Sequence, residues 1–437
     1  MMRYSFFLVL VVSLLSCDTE NKFPDPSQDY FVKFYGEDGD HEGVDFVANS
    51  DGTFILLGNE NVPGSALNQQ IFVVKVDAQG MVIWHKSFGI NGDEFAKDIE
   101  LTADGNVIIA AETQLVPGNR DVFVKVISQN GEPLDSVRIG LKTMGNLEAD
   151  EVVNSISIIS DGYIVVGSTT AVKTNNTNDI SDALHIRLTS ALDPIDPLSS
   201  GIWNNTSGNN DSDDVLIKMI EIDSKTYYGF GYTNTVWRNS KDYKYWIFSL
   251  GEFGESSGNT PEFFDLTGSP LTDDKLGYVF LSKTSADEFE YVLNGISTKS
   301  SGESQSYIMK LENNPFPQPQ LPYNPVLAIG TPTNLGANVG GNTRISGLTQ
   351  GGFLLLTNNK SASTNEFNIS LVRLGDTFDT EGRVPIFFGG AGDDFAGNVT
   401  ELPDGKIMII GTMTMGGASA QTKMVLMKLN SNGKLSE

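Results

Sequence analysis

Few residues in this chain are of types that do acid–base, nucleophilic or metal chemistry in recognisable patterns. Its three histidines, His41, His85 and His185, are far apart in sequence. That excludes a histidine-rich metal centre, and a Ser-His-Asp triad would have to use one of them. The sequence contains no Gly-x-Ser-x-Gly elbow, no phosphate-cradling glycine loop and no His-Glu-x-x-His segment. Each histidine is therefore expected to be a packed or solvated residue: His41 in a loop, His85 and His185 on strands. On this basis the chain reads as non-catalytic, with no cofactor and no metal.

Carboxylates are the abundant chemistry, with 55 Asp and Glu against 29 Lys and Arg. Such a field repels nucleic acid and anionic lipid. Acids recur in pairs after glycine, at Asp93-Glu94 and Asp393-Asp394, with Asp38 and Asp40 earlier and Asp213-Asp214 between. A ring of carboxylates at one mouth of a closed fold would suit Ca²⁺ or a cationic ligand. The alternative is that each Asp caps a turn by accepting backbone N–H groups. Repetition in several units favours the cap, because a binding site is usually built once. Two carboxylates flanking a cleft would also serve glycoside hydrolysis, but so acidic a chain always offers candidates.

Aromatic chemistry concentrates in one loop, Tyr232-Thr-Asn-Thr-Val-Trp-Arg-Asn-Ser-Lys-Asp-Tyr243. Tyr232, Trp237, Arg238 and Tyr243 are the candidate ligand contacts, able to stack on a sugar or anchor a protein partner. Trp237 could equally fill a gap between units. Trp84, Trp203 and Trp246 fall on predicted strands and are expected in the core.

Cys17 is the lone cysteine, so no disulfide within the chain is possible. It follows one positive charge, a short apolar run and Leu14-Leu15-Ser16. The apolar run is too short to span a bilayer core of about 30 Å. Leu-Leu-Ser-Cys resembles the lipobox of bacterial lipoproteins, which implies a signal peptide over residues 1–16 and acylation of Cys17. Residues 17–28 are polar and proline-containing and read as a tether. The acids after Cys17 resemble a surface-export signal, so the expected location is the outer membrane, lipid-anchored at the cell surface, with periplasm-facing attachment as the alternative.

What must position these residues is a repeat. The block from Phe88-Gly-Ile-Asn-Gly-Asp-Glu-Phe-Ala through Asp104-Gly105 aligns without a gap with Phe388-Gly-Gly-Ala-Gly-Asp-Asp-Phe-Ala through Asp404-Gly405. Seven hairpins are expected, at Asp51-Gly52, Asp104-Gly105, Asp161-Gly162, Ser224-Lys225, Ala286-Asp287, Gly351-Gly352 and Asp404-Gly405. Asp-Gly supplies the positive φ that tight hairpins need. An all-apolar strand follows each hairpin, as in Tyr163-Ile-Val-Val-Gly, and suits a strand covered on both faces. Units of about 50 to 65 residues with four strands each are the signature of propeller blades. The last unit lacks an outer strand, while a spare one, Tyr30-Phe-Val-Lys-Phe-Tyr-Gly36, precedes the first. Pairing the two would close the ring and remove an open edge. The fold is thus expected to be all-β, a β-propeller of seven four-stranded blades over residues 29–437, closed by its N-terminal strand.

The pattern Phe-Gly-Gly-x-Gly-Asp-Asp, then Asp-Gly-x-Ile-x-Ile-x-Gly, resembles the propeller-repeat surface lipoproteins of Gram-negative bacteria. The expected function is a non-catalytic envelope protein that binds a protein partner or extracellular ligand through its loop-rich face. Carbohydrate capture beside a glycan-uptake system is the first alternative, and an acidic-residue hydrolase or lyase the second.

Overall fold

The structure is a computed structural model. It describes residues 29–435 apart from 62–63, 65–68, 91, 143–147, 172–180, 196–201, 204–211, 224, 237–241, 253–261, 265–271, 284–288, 312–327, 330–337, 362, 379, 381–383, 391 and 417–419. The chain forms seven four-stranded antiparallel blades in a ring. The inner strands are Asp40–Ala48, Asp93–Leu101, Glu151–Ile159, Asp214–Asp223, Thr272–Lys283, Asn338–Gly347 and Phe395–Glu401. Closure follows the expected route: Phe31–Tyr35 pairs antiparallel with Gln421–Leu429, Val32 opposite Met427. The last blade therefore contains both ends of the domain.

Each second strand lies between two neighbouring sheets, which explains the apolar runs such as Phe54 to Leu57, Val107 to Ala111 and Phe353 to Leu356. Ile108 faces the third blade and Ile109 faces the first, and both are fully buried. Seven apolar clusters result, one at every blade junction, the closing junction included. Burial of one such side chain stabilises by roughly 1.5–3 kcal/mol, so the ring is held by side-chain packing between blades and by hydrogen bonds within them.

Turn chemistry follows the sequence where it is strong. Gly52, Gly105 and Gly405 take φ of 83°, 78° and 78°. In the fourth blade Lys225 occupies the same conformation at φ 78°, a residue type that pays for it sterically. Ser224 and the Ala286-Asp287 hairpin lie outside the described residues. Trp246 is buried in the junction of the third and fourth blades. Trp84 is only half-buried, its Nε1 donating to the Gln129 carbonyl at 3.2 Å. The side chain of Trp203 is outside the described residues.

Candidate active site

The recurring acids latch one blade to the next. At the start of six of the seven inner strands an Asp carboxylate accepts the backbone N–H that opens the third strand of the preceding blade. The pairs are Asp40 with Thr422 at 2.8 Å, Asp93 with Gln69 at 3.1 Å, Asp150 with Arg120 at 3.0 Å, Asp213 with Ser181 at 2.9 Å, Asp273 with Tyr243 at 3.2 Å and Asp393 with Phe367 at 2.8 Å. The next residue donates its own N–H back: Asp214 to Ser181 at 2.7 Å, Asp274 to Tyr243 at 2.8 Å and Asp394 to Phe367 at 2.8 Å. Its side chain caps the incoming turn, Glu94 accepting from Ile90 at 2.9 Å and Asp394 from Gly390 at 2.7 Å. A Cβ at Gly389 would lie 2.6 Å from the Asp394 carboxylate and 2.0 Å from Asn368 Oδ1, which is why the motif reads Phe-Gly. The acid pairs are therefore turn caps and latches. Asp38 is an exposed turn residue.

His41 stands where five of the other blades carry the second acid. It lies on a strand rather than in a loop, is buried, and sets Nε2 3.5 Å from Glu60. His85 is exposed on an outer strand. His185 is buried, neither ring nitrogen has a partner, and burial with the nearby Arg187 charge pulls its pKa down to about 4.

Four residues beyond the second acid, the chain does something the sequence did not announce. Every inner strand changes register there, between Gly43 and Asp45, Ala96 and Asp98, Val153 and Ser155, Leu216 and Lys218, Leu276 and Tyr278, Gly340 and Arg344, and Ala396 and Asn398. A bulge of this kind re-aims the following side chain. Glycine opposite makes room for it: a Cβ at Gly58 would lie 1.8 Å from the Glu42 carbonyl, and at Gly167 1.8 Å from that of Val152. The seven residues after the bulges, Asp45, Asp98, Ser155, Lys218, Tyr278, Arg344 and Asn398, all line a central cavity of about 820 Å³.

This ring is chemically polarised. Asp45 and Asp98 form an acidic arc on the first two blades; Lys218, Tyr278 and Arg344 form a cationic and phenolic arc opposite. Each Asp uses one oxygen on its own bulge, Asp45 accepting the Phe46 N–H at 2.7 Å and Asp98 the Ile99 N–H at 3.1 Å. Asp98 also accepts the Ile156 N–H at 2.8 Å and lies 3.7 Å from Lys218. Asn398 donates to Asp45 at 2.6 Å. A side-chain hydrogen bond joins Asp45 to Asp98; burial, then the charge of Asp98, hold the Asp45 carboxyl well above the usual carboxylate range. Two carboxyl groups set side by side disfavour the second charge, and it is Asp45 that is pushed toward its protonated form. Lys218 reaches the Ile156 carbonyl at 2.9 Å and Glu100 at 3.7 Å. Burial pulls its pKa down, but Asp98 and Glu100 outweigh that and keep the ammonium charged.

Of the four loop residues singled out by sequence, one lines this cavity and a second packs against it. Tyr232 lines it and packs edge-on to Tyr243, ring centroids 5.6 Å apart. Tyr243 donates its hydroxyl to Asp213 at 2.9 Å, and Lys275 sits 4.2 Å from the Tyr243 ring centre. Trp237, Arg238 and Cys17 lie outside the described residues. The ring itself escaped the sequence reading, although its spacing from the acid pairs would have marked it.

No family model and no curated protein matches the chain. Among solved structures it is similar to a puromycin hydrolase, with TM-score 0.52, 9% identity, 90% of this chain covered and 52% of that one. Also similar are the propeller domain of the trilobed protease from Pyrococcus furiosus, with TM-score 0.43, 12% identity and 93% and 97% covered, and the acylaminoacyl peptidase of Pyrococcus horikoshii, with TM-score 0.42, 11% identity and 88% and 50% covered. The chain spans about half the length of the puromycin hydrolase. At such identity the likeness is one of fold. It nevertheless corrects the expectation of a non-catalytic binder that is no enzyme: that expectation took the lack of a familiar motif as evidence, whereas the first of these similar chains is a hydrolase.

Proposed function

We propose that the chain has a hydrolase-type function, with its reaction centre at the Asp45–Asp98 pair in the central channel. The observation that carries this is that Asp45 and Asp98, from different blades, line one cavity together with Lys218 and Arg344, the Asp45 carboxyl being raised by burial and by the charge of Asp98. A carboxyl raised by burial in a cleft is a usual general acid of a hydrolytic site. In the reaction, Asp98 takes a proton from a water whose oxygen bonds to the substrate's electrophilic carbon. The bond to the leaving group breaks with its electron pair, and Asp45 gives that group its proton. The proton now on Asp98 passes to Asp45 across their hydrogen bond, and the pair is restored. Lys218 and Arg344 face the negative charge that develops in the transition state. The fold is shared with a puromycin hydrolase, which supports hydrolysis over elimination.

The sequence supports the rest of the assignment: Leu14-Leu15-Ser16-Cys17 anchors the enzyme by lipid at the outer membrane, facing outward. Cys17→Ala is expected to release the protein from the membrane fraction, and a variant that stays bound contradicts the anchor. For the activity, the full-length protein is assayed on peptide anilides, aryl esters and aryl glycosides. Turnover of one class, lost in Asp45→Asn and Asp98→Asn, is expected. Turnover of none, or turnover indifferent to both substitutions, overturns the proposal.

A further inference from the structure

Among the five described arginines, three are paired with carboxylates and Arg373 donates to the Ser431 carbonyl. Arg120 binds Asp150 and Glu112, Arg138 binds Asp121, and Arg187 binds Asp161. Arg344 differs from all four in facing the central cavity. It lines the central cavity with its guanidinium carbon 4.9 Å from the Tyr278 ring centre. One nitrogen, Nη1, donates to the neighbouring Thr343 carbonyl at 3.3 Å, and Nε is buried with no partner. Among the described residues no carboxylate forms an ion pair with it, although Asp45 and Asp98 stand across the same cavity and are held by Asn398, Lys218 and backbone N–H groups. The Arg344 charge is felt by Asp45 without ion-pair contact, and a guanidinium fixed on a ring face with no carboxylate in contact is organised for an anion that arrives from outside.

We infer that the central cavity takes a carboxylate-bearing substrate, its carboxylate received by Arg344. This rests on the hydrolase reading and adds the substrate class to it. The guanidinium lies two ring positions from Asp45, on the far side of Asn398, so a substrate held there by its acid end presents its remaining length to the acidic arc. A neutral analogue would leave Arg344 unpaired in a partly desolvated site, which a binding site penalises strongly. Repulsion from a chain of net charge −26 acts on every anion alike, so discrimination between acids must come from the cavity.

Binding is measured on the full-length protein by calorimetry, independently of turnover. One arm compares N-acetyl-alanyl-alanine with its amide; the other compares galacturonic acid with galactose. The expected result is that one acid binds roughly ten-fold or more tighter than its neutral counterpart, that the preference falls in high salt, and that Arg344→Gln removes it. Arg344→Lys, which keeps the charge and loses the fork, should retain part of it, and its unfolding transition checks that the fold survives. The arm that responds identifies the source of the carboxylate. Equal affinity for acid and neutral forms in both arms of the wild type overturns the inference, whatever the variants do. If acid binding is present and no substrate is turned over, the anion site stands and the hydrolase reading fails. If a substrate is turned over while neither acid binds more tightly than its neutral form, the hydrolase reading stands and the anion site fails.

Discussion

Replacing Lys218 with methionine tests the electrostatics of the ring without touching a carboxylate. The ammonium lies 3.7 Å from Asp98 and 3.7 Å from Glu100, with its side chain 19% exposed. At an effective dielectric near 20 each contact is worth about 4 kcal/mol before desolvation, and removing one partner of a buried pair costs about 3–5 kcal/mol. Partial exposure reduces that, so Lys218→Met is expected to destabilise by about 2–3 kcal/mol at neutral pH. The loss should depend on pH in one direction. Burial already raises the Glu100 pKa, and Lys218 opposes the rise. Without Lys218 the folded pKa climbs further above the unfolded value. A group so raised contributes stability that is present below the unfolded pKa and disappears as pH rises through the folded one. The variant should therefore lie closest to wild type near pH 5 and fall behind as pH increases to 8. Urea unfolding at several pH values measures this directly. A penalty that is constant with pH, or largest in acid, would refute the reasoning.

Three further outcomes follow from the fold. Asp93→Ala should cost about 1 kcal/mol through loss of the bond to Gln69, whereas Asp93→Asn, which keeps an acceptor, should cost less; equal losses on denaturation would count against the latch. His185, with its pKa lowered to about 4, stays neutral while the unfolded chain is protonated, so stability should fall as pH drops from about 6.5 to about 4. In His185→Leu that part of the decline should vanish, and an unchanged slope would contradict it. Lys225→Gly should stabilise by about 0.5–1 kcal/mol by relieving the φ of 78°, less whatever the ion pair with Glu252 contributes; a lower melting temperature would show that the ion pair outweighs the strain.

The ring of blades was legible because each blade announces itself locally. Asp104-Gly105 fixes a hairpin, Val107 to Ala111 can only sit between two sheets, and an unmatched strand at one end answers a missing one at the other. The recurring acids were legible as turn caps for the same reason, although their partners belong to the preceding blade, up to 382 residues away for Asp40 and Thr422. The candidate site was legible only as a fixed spacing from the acid pairs, and was overlooked. Its seven residues share a position and differ in kind, so no motif repeats. What places them is a bulge, a backbone event whose trace in sequence is a glycine such as Gly58 or Gly167 on the strand opposite. Absence of a familiar triad then pointed away from an enzyme, while two ordinary-looking strand residues, Asp45 and Asp98, were being brought together from different blades.

The most direct test of that pairing is the pH–rate profile of the full-length protein on whichever substrate class the screen returns, from about pH 4 to about pH 9. The account predicts a bell for wild type, its alkaline limb set by the elevated Asp45 carboxyl, and loss of most turnover across the whole range in Asp45→Asn. A profile that keeps its alkaline limb and its height in Asp45→Asn would place the chemistry elsewhere in the molecule.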